Sequence, residues 1–159
     1  MRDPWPLSLF VVGHPKAYGS KIPVINWAER KWFLRESSKA VVPWKKVVRE
    51  AFQAQIVQSW GALDVLPIPQ GTAVALTFEF WIPTPKATKN LEPYPTRMTG
   101  PYGGDWDKLA RAVGDCGTDA GLWWDDCQIV EGYVRKRWAN KAHPAGCRVS
   151  FWPVDAMEG

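Results

Sequence analysis

Gly103–Val130 reads GGDWDKLARAVGDCGTDAGLWWDDCQIV, and two periodicities meet in it. Leu109, Ala112, Val113, Cys116 and Ala120 recur at helical spacing, although Gly114 and Gly117 weaken the middle of such a helix. From Gln128 to Trp138 the pattern becomes that of a strand, and Gly146–Trp152 supplies the last strand. On the N-terminal side, TAVALTFEFWI alternates at Val74, Leu76, Phe78 and Phe80, which predicts a half-buried strand. The quoted helix therefore lies between two strands. Pro43 opens an earlier helix whose apolar side holds Trp44, Val47, Val48, Ala51, Phe52, Ile56 and Trp60, with Gly61 as its stop signal. Leu7–Val12 and Trp27–Leu34 read as strands, separated by a turn-rich basic loop, Gly13–Pro23. The expected order is ββαβαββ, an α+β fold with two main helices on a mixed or antiparallel sheet. Pro83–Gly104, 22 residues with five prolines and three glycines, is a loop long enough to be functional, and it is expected to be mobile.

A chain of 159 residues with 46% hydrophobic and 23% charged residues suits one folded domain spanning 1–159. No stretch approaches the ~20 apolar residues of a membrane span. The opening MRDPWPLSLFVVGHP, with an Asp and two prolines before a short apolar run, does not read as a cleaved signal. Cys116, Cys127 and Cys147 are too few and too widely spaced for a disulfide framework or a metal knuckle, so the expectation is small core residues in a reducing cytoplasm. His14 and His143 stand apart from any nucleophile pattern.

The formal net charge of +4 conceals two regions. Between Asp105 and Asp126 six acids face two bases, a net of −4, while the rest of the chain carries 18 bases against 10 acids, a net of +8. A basic body with a concentrated acidic patch suits a metal-dependent enzyme acting on a polyanion. Asp105 and Asp107 would lie nearly opposite each other on a helix, but in an extended segment residues two apart share a face. Gly103 and Gly104 favour such an extended segment, and Asp125 or Asp126 supplies a third carboxylate if its strand pairs beside the helix start. Converging carboxylates call for a hard divalent cation, and Mg²⁺ takes oxygen ligands. Arg111, four residues after Asp107 and four before Asp115, is placed to pair with either or to face a scissile phosphate. The competing reading makes Asp107 an N-cap and Arg111 a surface ion pair.

As a pattern the segment is D-x-D-x-L-x-R-x3-D-x4-A-G-x3-D-D-x-Q-I-x6-K, running from Asp105 to Lys136. It resembles the signature of the RusA family of Holliday-junction resolvases of phages and prophages, which has D-x-D-N-L-x-K, then D-A-L, then a D-D-x-Q-I strand and a downstream Lys. The early loop GHPKAYGSK resembles that family's Gly-x-Pro and basic stretch. The resemblance implies an α+β homodimer, cytoplasmic in a bacterial host, that binds four-way DNA junctions and cuts them with Mg²⁺ or Mn²⁺. By position, Asp105, Asp107 and Asp126 would hold the metal, Asp125 would support it, and Arg111 would stand where the family has its catalytic lysine. Lys108 replaces the family's Asn, Gly104 its Pro, and Arg111 its Lys; Arg keeps the charge but cannot donate a proton.

Basic residues elsewhere suit phosphate neutralisation. Candidates for contacting DNA are Lys16 and Lys21 in the early loop, Lys108 beside the acids, and Arg135, Lys136 and Arg137 on the penultimate strand; a further seven bases lie between Arg30 and Arg49. The eleven tryptophans are expected in the core or a dimer interface, with Trp106 the candidate to stack on an unpaired base. The reading from sequence is thus a junction-resolving endodeoxyribonuclease. A non-catalytic junction-binding descendant and a broader flap or fork nuclease are the alternatives.

Overall fold

β4 (Val74–Ile82) carries the clearest alternation in the chain, and the computed structural model puts it inside the main sheet. The structure describes residues 3–19, 21–36, 39–97 and 102–157. The sheet runs β1-β6-β4-β5, with β1 at Leu7–Val12, β6 at Gly146–Pro153 and β5 at Ile129–Trp138. β6 is antiparallel to both its neighbours, whereas β4 and β5 are parallel and therefore need a crossover. That crossover is helix α2 (Trp106–Ala120). It packs beside α1 (Val41–Gln55). The architecture is a single α+β domain with a mixed four-stranded sheet and two main helices.

Burial follows from the pleat. Leu76, Phe78 and Phe80 stand opposite Phe151, Val149 and Cys147 of β6 and share one core with Val48 and Phe52 of α1 and with Leu109, Ala112, Val113 and Cys116 of α2. The intervening residues of the same strands, among them Ser8, Thr77, Glu79, Arg148 and Ser150, give the other face a polar surface. The two α2 glycines have different reasons. A Cβ on Gly117 would overlap the ring of fully buried Trp123, so the helix and the following loop close only over glycine. A Cβ on Gly114 would meet nothing within 4 Å.

Several expectations from the sequence are corrected. The order is βββαβαββ, because Trp27–Leu34 is not one strand. Asn26 Oδ1 accepts from the backbone N–H groups of Ala28 and Glu29, and Arg30 takes a left-handed φ of 53°. The chain therefore reverses between β2 (Lys21–Asn26) and β3 (Lys31–Glu36). This hairpin forms a sheet of its own, leaving Trp27 and Trp32 exposed. The residues expected as a loop after β1 thus end in β2. Gly61 does not stop the first helix, which begins at Val41 and continues through a π turn (Ile56–Trp60) and a 3₁₀ turn (Gly61–Leu63) to a left-handed Asp64. Gly61 is needed because a Cβ there would lie 2.7 Å from the Ile56 carbonyl oxygen. Cys127 is exposed, unlike the buried Cys116 and Cys147. Among the described residues no helix is long and apolar enough to cross a membrane.

The loop between β4 and α2 has no strand or helix among its described residues, and 98–101 lie outside them. It is tied down at several points: Trp138 Nε1 donates to the Glu92 carbonyl (2.8 Å), Arg97 pairs with Glu92 (2.7 Å), and the Gly104 N–H donates to the Arg97 carbonyl (3.1 Å).

Candidate active site

A helix begins where its first N–H groups find partners or face solvent, and α2 begins at Asp105. Asp105 has the extended backbone of an N-cap (φ −67°, ψ 135°), yet its side chain bonds no backbone N–H. It lies instead 3.6 Å from Lys108 Nζ. Asp107 falls in the first helical turn, exposed, so it is neither the cap nor part of the extended segment that sequence placed it in. Behind this end of the helix, half-buried Lys136 Nζ donates to the Gly104 carbonyl (2.9 Å). Burial lowers the Lys136 ammonium below its usual range, opposed by the nearby Asp105 charge.

The other end of α2 faces the D-D-x-Q turn, which is rigid because Gln128 uses its whole amide. Its Oε1 accepts from the N–H groups of Trp124 (2.8 Å) and Asp125 (2.9 Å), and its Nε2 donates to the carbonyls of Pro69 (2.8 Å) and Thr72 (3.0 Å). Asp125 caps the short 3₁₀ turn by accepting from the Cys127 N–H (2.9 Å). That bond holds the Asp125 carboxyl below the usual carboxylate range. Asp126 is moved the other way: burial first, then the Asp125 carboxylate and the charge of Asp115, push its carboxyl up. Its neighbours are thus acids, and no base offsets them.

Between the ends runs a groove of about 330 Å³ whose polar lining is Arg111, Asp115 and Asp126, over a floor that includes Leu76, Phe78 and Val134. Arg111 forms no ion pair with a described acid, so its guanidinium is not committed to Asp107 or Asp115 as the surface-pair reading required. At about 100° per residue, Asp107 lies on the same stripe of α2 as Ala110, Arg111 and Gly114. Trp106, 62% exposed, closes this side.

The structure separates the carboxylates that the sequence brought together. Asp107 and Asp115 are eight residues apart on one helix, a rise of about 12 Å. Asp126 adjoins Asp115 electrostatically, while Asp105 adjoins Lys136, seven residues up β5 from Ile129, about 23 Å along the strand. Among the described residues no group of three or more His, Cys, Asp or Glu is placed to hold a metal ion. The donor chemistry, carboxylates alone, fits Mg²⁺ or Mn²⁺; the number gathered at one point does not. The expected set of Asp105, Asp107 and Asp126 with Asp125 alongside is therefore not assembled within one chain, because α2 is long enough to hold its two ends apart.

The expected DNA contacts are also divided. Lys136 points to the helix side of the sheet beside Phe80, whereas Arg135 and Arg137, paired beside Glu79 and Trp81, point to the other. Arg135 stacks over Tyr133 (5.2 Å) and donates to its hydroxyl (3.1 Å), and Arg137 lies over Tyr94 (5.1 Å). Lys108 accompanies Asp105, Lys16 is half-buried in the loop after β1, and Lys21 begins β2 with its side chain outside the described residues.

Sequence reasoning missed Tyr18 and Lys45. Tyr18 donates its hydroxyl to Asp115 Oδ2 (2.7 Å) and accepts from Lys45 Nζ, and its N–H reaches the Lys108 carbonyl (3.4 Å). Ala17 lies against Gly104, where an added Cβ would come within 3.1 Å. The early loop thus braces the groove. Asp115 was legible as part of the fixed spacing, but its contact with Tyr18 spans 97 residues and leaves no local signal.

Compared with known proteins, the chain matches no family model and no curated sequence. The likeness to the RusA family accordingly rests on the spaced residues alone.

Proposed function

We propose that this protein is a divalent-cation-dependent endodeoxyribonuclease acting on branched DNA, with the four-way junction as its substrate and paired symmetric nicks as its product. The observation that carries the reading is the groove of α2: acids that no base neutralises, Asp126 above all, beside an Arg111 held by no described acid, in a chain otherwise net basic. A structural acidic cluster would be expected to recruit its nearest guanidinium. One that leaves it open suits a phosphate, whose oxygens the guanidinium binds in bidentate fashion. Tyr18 and Lys45 hold Asp115 in place, and Gln128 holds the Asp126 backbone. Symmetric nicking calls for a two-fold homodimer, since a pseudo-symmetric junction then meets two identical sites.

Incubation with a synthetic four-way junction and Mg²⁺ or Mn²⁺ tests this. Paired nicks at symmetry-related positions are expected, and their absence across junctions of several arm sequences sinks the resolvase reading. Forked and flapped duplexes in the same assay separate a general branched-DNA nuclease. The second reading, a protein that binds junctions without cutting them, is favoured by the separation of Asp105 and Asp107 from Asp126. Metal-independent binding with no nick in either cation would establish it.

A further inference from the structure

The acids lie at opposite ends of one groove, and the ends differ in charge. The N-terminal end of α2 holds Asp105 and Asp107 together with Lys108, Lys136 and the positive pole of the helix. The C-terminal end holds Asp115, Asp125 and Asp126 with the negative pole, and the Tyr18–Lys45 pair is the only cationic support seen there among the described residues. Each end is electrostatically complementary to the other and cannot reach it, since the helix between them is rigid. Midway lie Ala110 and Gly114; a Cβ on Gly114 would meet nothing within 4 Å, so the surface is shallowest there.

We infer that the groove is occupied by the same groove of a second copy of this chain, turned antiparallel about a two-fold axis near Ala110 and Gly114, so that Asp105 and Asp107 of one subunit join Asp115 and Asp126 of the other in a shared divalent-cation site. A two-fold operation exchanges the ends of any element it crosses, so the contact that brings one mixed cluster together creates a second, identical one. It sets the positive pole of each α2 against the negative pole of the other. Four carboxylates from two chains then meet without neutralising bases enough, and a hard cation with oxygen ligands supplies the missing charge. The carboxylates that one chain holds apart become one ligand set in the pair. This inference rests on the nuclease reading and adds that neither subunit carries a complete site.

Co-expression of Asp107→Asn and Asp126→Asn chains bearing different tags, followed by isolation of the mixed dimer, decides the matter. In the mixed dimer one site carries both substitutions and the other none. Each homodimeric variant is expected to be inactive and to have lost high-affinity Mn²⁺ binding. The mixed dimer should regain about one nick per junction and about half the Mn²⁺ bound by the wild-type dimer, the share set by one intact site of two. Sedimentation of the wild-type chain should also show dimers strengthened by Mn²⁺. A wild-type protein that cuts junctions while the mixed dimer stays inactive, or while no mixed dimer forms, overturns the shared site and leaves the nuclease reading standing. A wild-type protein that neither cuts nor binds Mn²⁺ overturns both.

Discussion

At the C-terminal side of α2, the turn from Asp125 to Gln128 commits its polar groups to backbone. At the N-terminal side, Asp105 occupies a cap position and caps nothing. The first arrangement fixes a backbone so that one side chain, Asp126, is left over. The second leaves two carboxylates, Asp105 and Asp107, exposed on a helix start secured from outside, by Lys136 on the Gly104 carbonyl and by Tyr18 on the Lys108 carbonyl. The difference teaches how one acidic segment divides its labour. Some of its polar residues are there to fold, and others are tolerated by the fold.

The sharpest test of that division is loss of cleavage without loss of stability. Asp126→Asn and Asp107→Asn should each reduce junction cutting by more than about a hundred-fold, since even the outer partners of metal ligands are worth 10–100-fold, while junction retention in a gel assay persists. Normal cutting by Asp107→Asn would reduce that residue to a surface carboxylate. Gln128→Ala should break the comparison from the other side. It leaves two carbonyls and two N–H groups without their buried partner, so a loss of about 2–3 kcal/mol is expected, read as a fall of roughly 5–10 °C in Tm by calorimetry. Asp105→Ala, by contrast, removes no cap hydrogen bond and should cost less than about 0.5 kcal/mol, below the usual loss at an N-cap. A cost as large as that of Gln128→Ala would mean the two ends are built alike.

Acidity sharpens the same contrast in metal-free buffer. The Asp126 carboxyl is raised, so the folded chain binds its proton more tightly than the unfolded chain does. Its contribution to stability is complete below the ordinary Asp range and is lost as pH rises through the raised value. Asp126→Asn should therefore raise Tm slightly at neutral pH, and the gain should vanish on acidification. Asp125 has the opposite sign: its carboxyl is lowered by the Cys127 N–H, and its contribution, present above the ordinary range, disappears as pH falls through the lowered value. Melting curves of the two Asn variants across pH 3–7 should diverge in opposite directions, Asp125→Asn being the destabilised one at neutrality.

The smallest effect concerns the helix between the two ends. Gly114→Ala has room for its methyl group and should gain about 0.5–1 kcal/mol from helix propensity, while Gly117→Ala, driven into Trp123, should lose stability. Urea midpoints for the pair decide it; equal signs would contradict the packing described.

Much of the fold was legible because its signals are local. The alternation of β4, the stripe of α2 and the strands β5 and β6 follow from residues two to four apart, and those elements lie where periodicity put them. The hairpin was misread because its turn is set by the Asn26 side chain and a left-handed Arg30, and WAER carries no glycine or proline to announce it. Gly61 misled for a related reason: a glycine demanded by a close carbonyl looks the same in sequence as one demanded by a helix end.

By itself, the sequence determined an α+β domain, one segment concentrating acids in a basic chain, and the identity of the residues able to hold a cation or meet a phosphate. Spacing along a chain specifies which faces residues share, since helix and strand have fixed periods. Only the tertiary structure decided the distances: that α2 holds Asp107 away from Asp126, that Tyr18 and Lys45 brace Asp115, and that Lys136 turns inward while Arg135 and Arg137 turn out. These depend on which element packs against which, and on the length of a rigid helix laid across a parallel pair, quantities that no local pattern of side chains encodes.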